Sequence, residues 1–216
     1  NRPYIHSKIN RLGSAMHQEK ACIFFNRALS ILKKSQNEAQ FAYLCGFICH
    51  FILDSNCHGY INIVMEETKL THFEIETELD RDFMLKDDRD PLRTHLTDHI
   101  LINDRILNTI ESFFEASKKD LKKSLKGMKF FDHLLVAPQL YKRGLIYFVL
   151  LISFTYKRFQ GFIVNYRANK KIIPYINYLE DLFNKSIDES IICIYDFIDA
   201  LKNNNSLSKR FNVNYK

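Results

Sequence analysis

Three polar residues, His50, Asp54 and His58, recur at intervals of four in the otherwise apolar stretch 41–58, FAYLCGFICHFILDSNCH. Four-residue spacing puts them on one side of a helix, drifting slowly around it. Burying a carboxylate and two imidazoles is unfavourable unless something compensates. A divalent cation compensates, because carboxylate oxygen and imidazole nitrogen are zinc ligands. Taken alone, the stretch fits equally well with three core polar groups satisfied without metal. Downstream, His72 and Glu76 are again four apart, so the series His50, Asp54, His58, His72, Glu76 has spacings of four, four, fourteen and four. One such pair is unremarkable; five residues in this series, three of them in an apolar helix, point to metal binding.

Other chemistry-bearing residues carry less. His17 lies in the first turn of an expected helix from Ser14 to Lys34, where a side chain projects into a cleft. His95 and His99 are also four apart, but no apolar burial demands compensation there, and a solvated surface is expected. Cys57 adjoins His58 and reads as a small buried hydrophobe rather than a soft-metal ligand. Glu74, Glu78, Asp80 and Asp82 read as a solvated helix face. His6 sits in a polar lead-in, residues 1–12, expected to be extended and solvent-facing.

The elements that must position these side chains are helical. Ala15, Cys22, Phe25, Leu29 and Leu32 recur at helical spacing. Ser35 with Glu38 is a capping-box pattern that opens the apolar helix, and Gly59 is expected to end it. Residues 59–70 then read as a loop with a short turn. Thr71-x-x-Glu74 is a second capping box, opening a helix at 72–86. Asn103 and Ser117 look like N-caps for helices near 104–116 and 118–136. Pro138 starts another helix. Its apolar run 144–154, GLIYFVLLISF, is too short to span a bilayer and reads as core. Residues 160–173 read as a loop whose Arg167, Lys170 and Lys171 are exposed. Pro174 begins an amphipathic helix to about Lys202 with apolar Ile176, Leu179, Phe183, Ile187, Ile191, Ile194 and Ile198. The tail from Asn203 reads as polar and frayed. With only six Gly and four Pro among 216 residues, the expected fold is all-α, a single multi-helix domain built around one core.

The net charge of +6 permits an anionic partner without requiring one. Five cysteines, an odd number in mostly apolar helical settings, suggest reduced thiols rather than a disulfide framework. These thiols and the lack of a signal-peptide pattern lean towards a cytoplasmic location, with secretion the alternative. The chain starts Asn1-Arg2-Pro3, so it reads as processed or N-terminally truncated.

GFICHFILDSNCH at 46–58 followed by THFEIETELDR at 71–81, with LGSAMHQEKACIFF at 12–25, resembles the bacterial zinc-dependent phospholipase C family, an all-α fold that carries a cluster of three zinc ions. The resemblance implies that His17, His50 and Asp54 hold one zinc and that His58, His72 and Glu76 hold a second. Asp54 would bridge towards a third and is the candidate catalytic residue. Glu74 and Asp80 would orient ligand imidazoles from behind. The family's amino-terminal ligands, and an upstream aspartate, have no counterpart among the residues before His17, so two zincs are expected from this chain, and a third only with a further N-terminal segment. The implied reaction is phosphodiester hydrolysis of a phospholipid to diacylglycerol and a phosphorylated head group, with peripheral membrane contact made by the domain's own surface. Two alternatives stay open. Single-strand-specific zinc nucleases share the fold and site plan, although no basic and aromatic platform for bases is evident, so nucleic acid is the weaker partner. A catalytically inactive helical metal-binding or interaction domain is the other.

Overall fold

A computed structural model describes residues 7–215, which form nine α-helices and no strand. The all-α expectation therefore holds for the described residues; His6 lies outside them. The helices are α1 (Lys8–Met16), α2 (Ala21–Ser35), α3 (Glu38–Thr68), α4 (His72–Lys86), α5 (Asp104–Glu111), α6 (Lys118–Leu135), α7 (Leu140–Ile152), α8 (Tyr156–Phe159) and α9 (Ile173–Asn203). Short 3₁₀ turns cover Gln160–Phe162 and Lys209–Asn212.

Local chemistry explains most boundaries. Ser7 caps α1 by accepting the Asn10 N–H at 3.1 Å, so the segment expected to be extended is helical from Lys8. The helix expected over Ser14–Lys34 is two helices, and the chain turns between them at residues 17–20. The left-handed Gln36 (φ 48°) ends α2. Asn37, rather than Ser35, caps α3, its Oδ1 accepting from the N–H groups of Ala39 (2.9 Å) and Gln40 (3.2 Å). Gly59 does not terminate α3, a helix of 31 residues that runs on to Thr68. No described glycine has a positive φ, whereas a glycine C-cap needs the left-handed conformation. Buried Ile61 and Val64 continue the apolar stripe past it, and Lys69 at φ 61° supplies the stop. The second capping box forms as expected: Thr71 Oγ1 accepts from Glu74 N–H, and the Glu74 carboxylate accepts from Thr71 N–H at 2.8 Å. Asn103 and Ser117 cap α5 and α6, although α5 stops at Glu111.

The chain divides into two compact units. The first comprises the described residues up to His58, Ile100–Met128 and the chain from Leu182 onwards. Its core is aromatic: the Phe25 ring lies 4.7 Å from that of Phe211, and Phe51 stacks on Phe211 at 5.7 Å, around buried Leu44, Ile48 and Phe197. The tail is therefore packed, not frayed. Phe211 and Tyr215 are buried, Val213 C=O accepts the Ala21 N–H at 2.9 Å, and Arg210 donates to Glu189 (2.6 Å), Ser55 (2.8 Å) and Asn56 (3.0 Å).

The second unit is Gly59–His99 with Lys129–Asp181. Buried Glu78 of α4 accepts from Asn165 Nδ2 (2.6 Å) and Asn169 N–H (3.0 Å), which fastens the 160–173 segment. Gly161 sits so close to the start of α4 that an added Cβ would meet Glu74 N at 2.8 Å and Thr71 Oγ1 at 3.0 Å. The apolar run 144–154 is not a core helix. Only Arg143, Ile146 and Leu150 of α7 are buried, and Leu145, Phe148, Leu151, Ile152 and Phe154 are exposed. Among the described residues no helix is long and apolar enough to cross a membrane.

Candidate metal centre

Two elements of the first unit position the candidate ligands. His50, Asp54 and His58 come from α3 at the expected i, i+4 spacing. His17 comes from the C-cap of α1, not from a first helical turn, with its N–H bonded to Gly13 and Ala15 carbonyls. The result is one carboxylate among three imidazoles. His50 Nε2 lies 3.4 Å and His17 Nδ1 4.0 Å from Asp54 Oδ2, while His58 Nε2 lies 3.7 Å from Oδ1. The His17 ring centroid is 6.1 Å from that of His50 and 6.3 Å from that of His58.

These separations favour a cation over direct pairing. An N–H···O hydrogen bond wants about 2.7–3.2 Å. Two ligands of one tetrahedral zinc, each about 2.1 Å from the ion, lie about 3.4 Å apart. One atom each from His17, His50 and Asp54 falls within 4.8 Å of the others. The donor set, two imidazole nitrogens and a carboxylate oxygen, suits zinc and leaves coordination positions open, as hydrolytic zinc sites require. The residues present therefore fit the metal.

The setting differs in one respect from the expected apolar interior. Asp54 is 14% and His58 15% exposed at the side chain, but His50 is 50% exposed, so the group opens to solvent along one edge. Beside it lies a cavity of about 510 Å³ lined by His17 and His50 together with apolar side chains that include Tyr43, Phe47, Phe114 and Leu125. Among the described residues its lining includes no lysine or arginine.

Tyr215 is a site neighbour that the sequence did not reveal. Its ring stacks on His17 at 5.1 Å and lies 6.2 Å from His50. Burial, then the Asp54 charge, pushes its hydroxyl far above the usual tyrosine range, so it stays protonated at neutral pH. That hydroxyl is buried and has no hydrogen-bond partner among the described residues.

In the second unit, His72 and Glu76 of α4 pair directly, Nε2 to Oε1 at 2.9 Å. Glu74 is occupied by the capping box rather than by an imidazole, and Asp80 lies exposed farther along α4. His95 does not pair with exposed His99. It stacks on His133 at 3.9 Å, with its Nδ1 3.6 Å from Asp132 Oδ2. Asp132 also accepts from Leu96 N–H and Thr97 Oγ1, so the group fastens the 95–99 loop to α6. No disulfide joins the five cysteines, and Cys57 is buried.

An all-α fold that brings histidines and an aspartate together where they could hold a metal ion defines the broad class. Residues 3–128, more than half of the chain, match the family described as zinc dependent phospholipase C; the chain belongs to that family. The match contains every candidate ligand and stops before α7 and the tail that brings in Tyr215. No curated protein and no solved structure matches the chain.

Proposed function

We propose that the protein is a zinc-dependent phosphodiester hydrolase that cleaves phospholipid to diacylglycerol and a phosphorylated head group. The observation that carries this reading is the Asp54 carboxylate with His17 and His50 at 3.4–4.0 Å from one oxygen, in a chain of the zinc dependent phospholipase C family. His17, His50 and Asp54 hold one zinc in this reading. Bound zinc would supply Lewis acidity and lower the pKa of a water towards about 7.

The chain's own residues do the rest. Asp54 turns one oxygen to His17 and His50 and the other to His58, so its carboxylate would hold the metal and is the residue on which the chemistry depends in this reading. Tyr215 stacks on His17 and fixes the plane of that imidazole. The apolar cavity beside His17 and His50 takes the glycerol and acyl portion of the substrate, and the apolar side chains of its described lining suit lipid better than a polyanionic nucleic-acid strand. In the overall reaction water adds to phosphorus, the bond from phosphorus to the glycerol oxygen breaks, and diacylglycerol leaves with a proton on that oxygen. Incubation with phosphatidylcholine and, separately, with single-stranded DNA tests the reading. Release of diacylglycerol that chelator abolishes is expected. Cleavage of DNA alone would make the protein a nuclease, and no turnover of either by the zinc-loaded chain would leave a non-catalytic domain.

A further inference from the structure

We propose that the outward face of α7, together with Phe154, is a docking surface for an anionic lipid interface. The proposal goes beyond hydrolysis and needs no metal. The inner side of α7 is fastened: buried Arg143 donates to Val164 C=O (2.7 Å) and Ala137 C=O (3.3 Å) and lies 3.9 Å over the Tyr166 ring, next to buried Ile146 and Leu150. The outer side carries Tyr141, Leu145, Phe148 and Ile152 at helical spacing, with Leu140 and Leu151 beside them, all exposed. No charged side chain stands exposed from Leu140 to Phe154. Scattered exposed apolar residues are ordinary, but a continuous apolar helix face marks a binding surface.

Phe154 adds an independent sign. It ends α7 in the left-handed region, φ 56°, with its ring 98% exposed. Its N–H and that of Thr155 close the helix end on the carbonyls of Leu151 (3.0 Å) and Leu150 (2.9 Å). Glycine is the residue that suits this position. A bulky aromatic there is strained and gains nothing from packing, so its use must lie outside the folded chain.

Charge selects the occupant. From His133 to Leu179 there are seven Lys or Arg residues and no Asp or Glu. Lys157 and Arg158, directly after Phe154, are both exposed. A second copy of this face would bring like charges together, whereas an anionic lipid surface meets both the apolar stripe and the cations. At 13 residues α7 is too short to span a bilayer, so it lies in the interface plane.

The chain contains no tryptophan, so Phe154→Trp places a single reporter at the proposed contact. The full chain is mixed, in EDTA so that zinc and turnover play no part, with vesicles of equimolar phosphatidylglycerol and phosphatidylcholine, or of phosphatidylcholine alone. Expected are a blue shift of the emission and co-sedimentation with the anionic vesicles, both weakened by salt. Replacing Lys157 and Arg158 by Ala should weaken binding at least about tenfold, from about fivefold per cation at an anionic surface. Phe154→Gly should lose about tenfold in binding while melting no lower than the parent, which separates docking from folding. Unshifted emission with all protein left in the supernatant would overturn the proposal. So would full binding by Phe154→Gly, or a blue-shifted dimer without vesicles, which would make the face an interface between copies.

Discussion

Replacing Asp54 with Asn keeps the side chain's shape and removes the charge that three imidazoles surround. Zinc that binds only the folded chain stabilises it by about 2.7 kcal/mol at a hundred times its dissociation constant. For a chain of this size each kcal/mol moves Tm by roughly 2–4 °C, so zinc should raise the parent's Tm by about 5–11 °C over the value in EDTA. Asp54 Oδ2 is the atom nearest to both His17 and His50, so the variant loses a ligand outright. Removing even an outer partner of a ligand costs about 10–100-fold in affinity. At the same zinc concentration that leaves at most about half of the increment. In EDTA the variant should melt no lower than the parent, because no metal then compensates the mostly buried Asp54 charge (14% exposed) that the substitution removes. Thermal denaturation followed by circular dichroism, with and without zinc, gives all four values, and elemental analysis gives the zinc per chain. A parent Tm indifferent to zinc, or a variant that keeps the full increment, would refute the reasoning.

Three further outcomes follow from the fold. Gly59 is helical, and an added Cβ there meets nothing within 4 Å; Gly59→Ala should therefore stabilise the chain by about 0.5–1 kcal/mol, whereas a destabilised variant in thermal melts would return Gly59 to a left-handed cap. Gly161→Ala drives a Cβ into the Glu74 backbone and should cost about 1–3 kcal/mol, with an unchanged Tm as the contrary result. Burial raises the Glu189 carboxyl, but hydrogen bonds from Arg210 and Asn56 and the Arg210 charge outweigh it, so it titrates below the usual 4.5. Its contribution is thus complete above pH 4.5 and lost as pH falls through the lower folded value; Glu189→Gln should flatten the acid limb of stability against pH, and an acid limb identical to the parent's would exclude this pair.

The sequence made the ligand spacing legible because i, i+4 recurrence on a helix is purely local, and His50, Asp54 and His58 stand where that rule puts them. It misplaced what depends on tertiary context. Gly59 looks like a terminator only if nothing holds the helix beyond it, yet buried Ile61 and Val64 do. His17 belongs to the end of one helix rather than the start of another, because the Ser7 cap begins a helix that hydropathy alone left in a polar lead-in. Tyr215 entered the site through the Arg210 contacts to Ser55, Asn56 and Glu189, a long-range network without periodicity. The run 144–154 shows the converse failure: strong hydropathy predicts burial of the whole helix, and the fold buries only one side of it.

Anomalous X-ray diffraction at the zinc absorption edge, on crystals grown with zinc, tests the central claim most directly. A peak between His17 Nδ1, His50 Nε2 and Asp54 Oδ2 is expected, lost in Asp54→Asn. A zinc-soaked crystal with no peak there, or with its peak only beside His95 and His133, would contradict it.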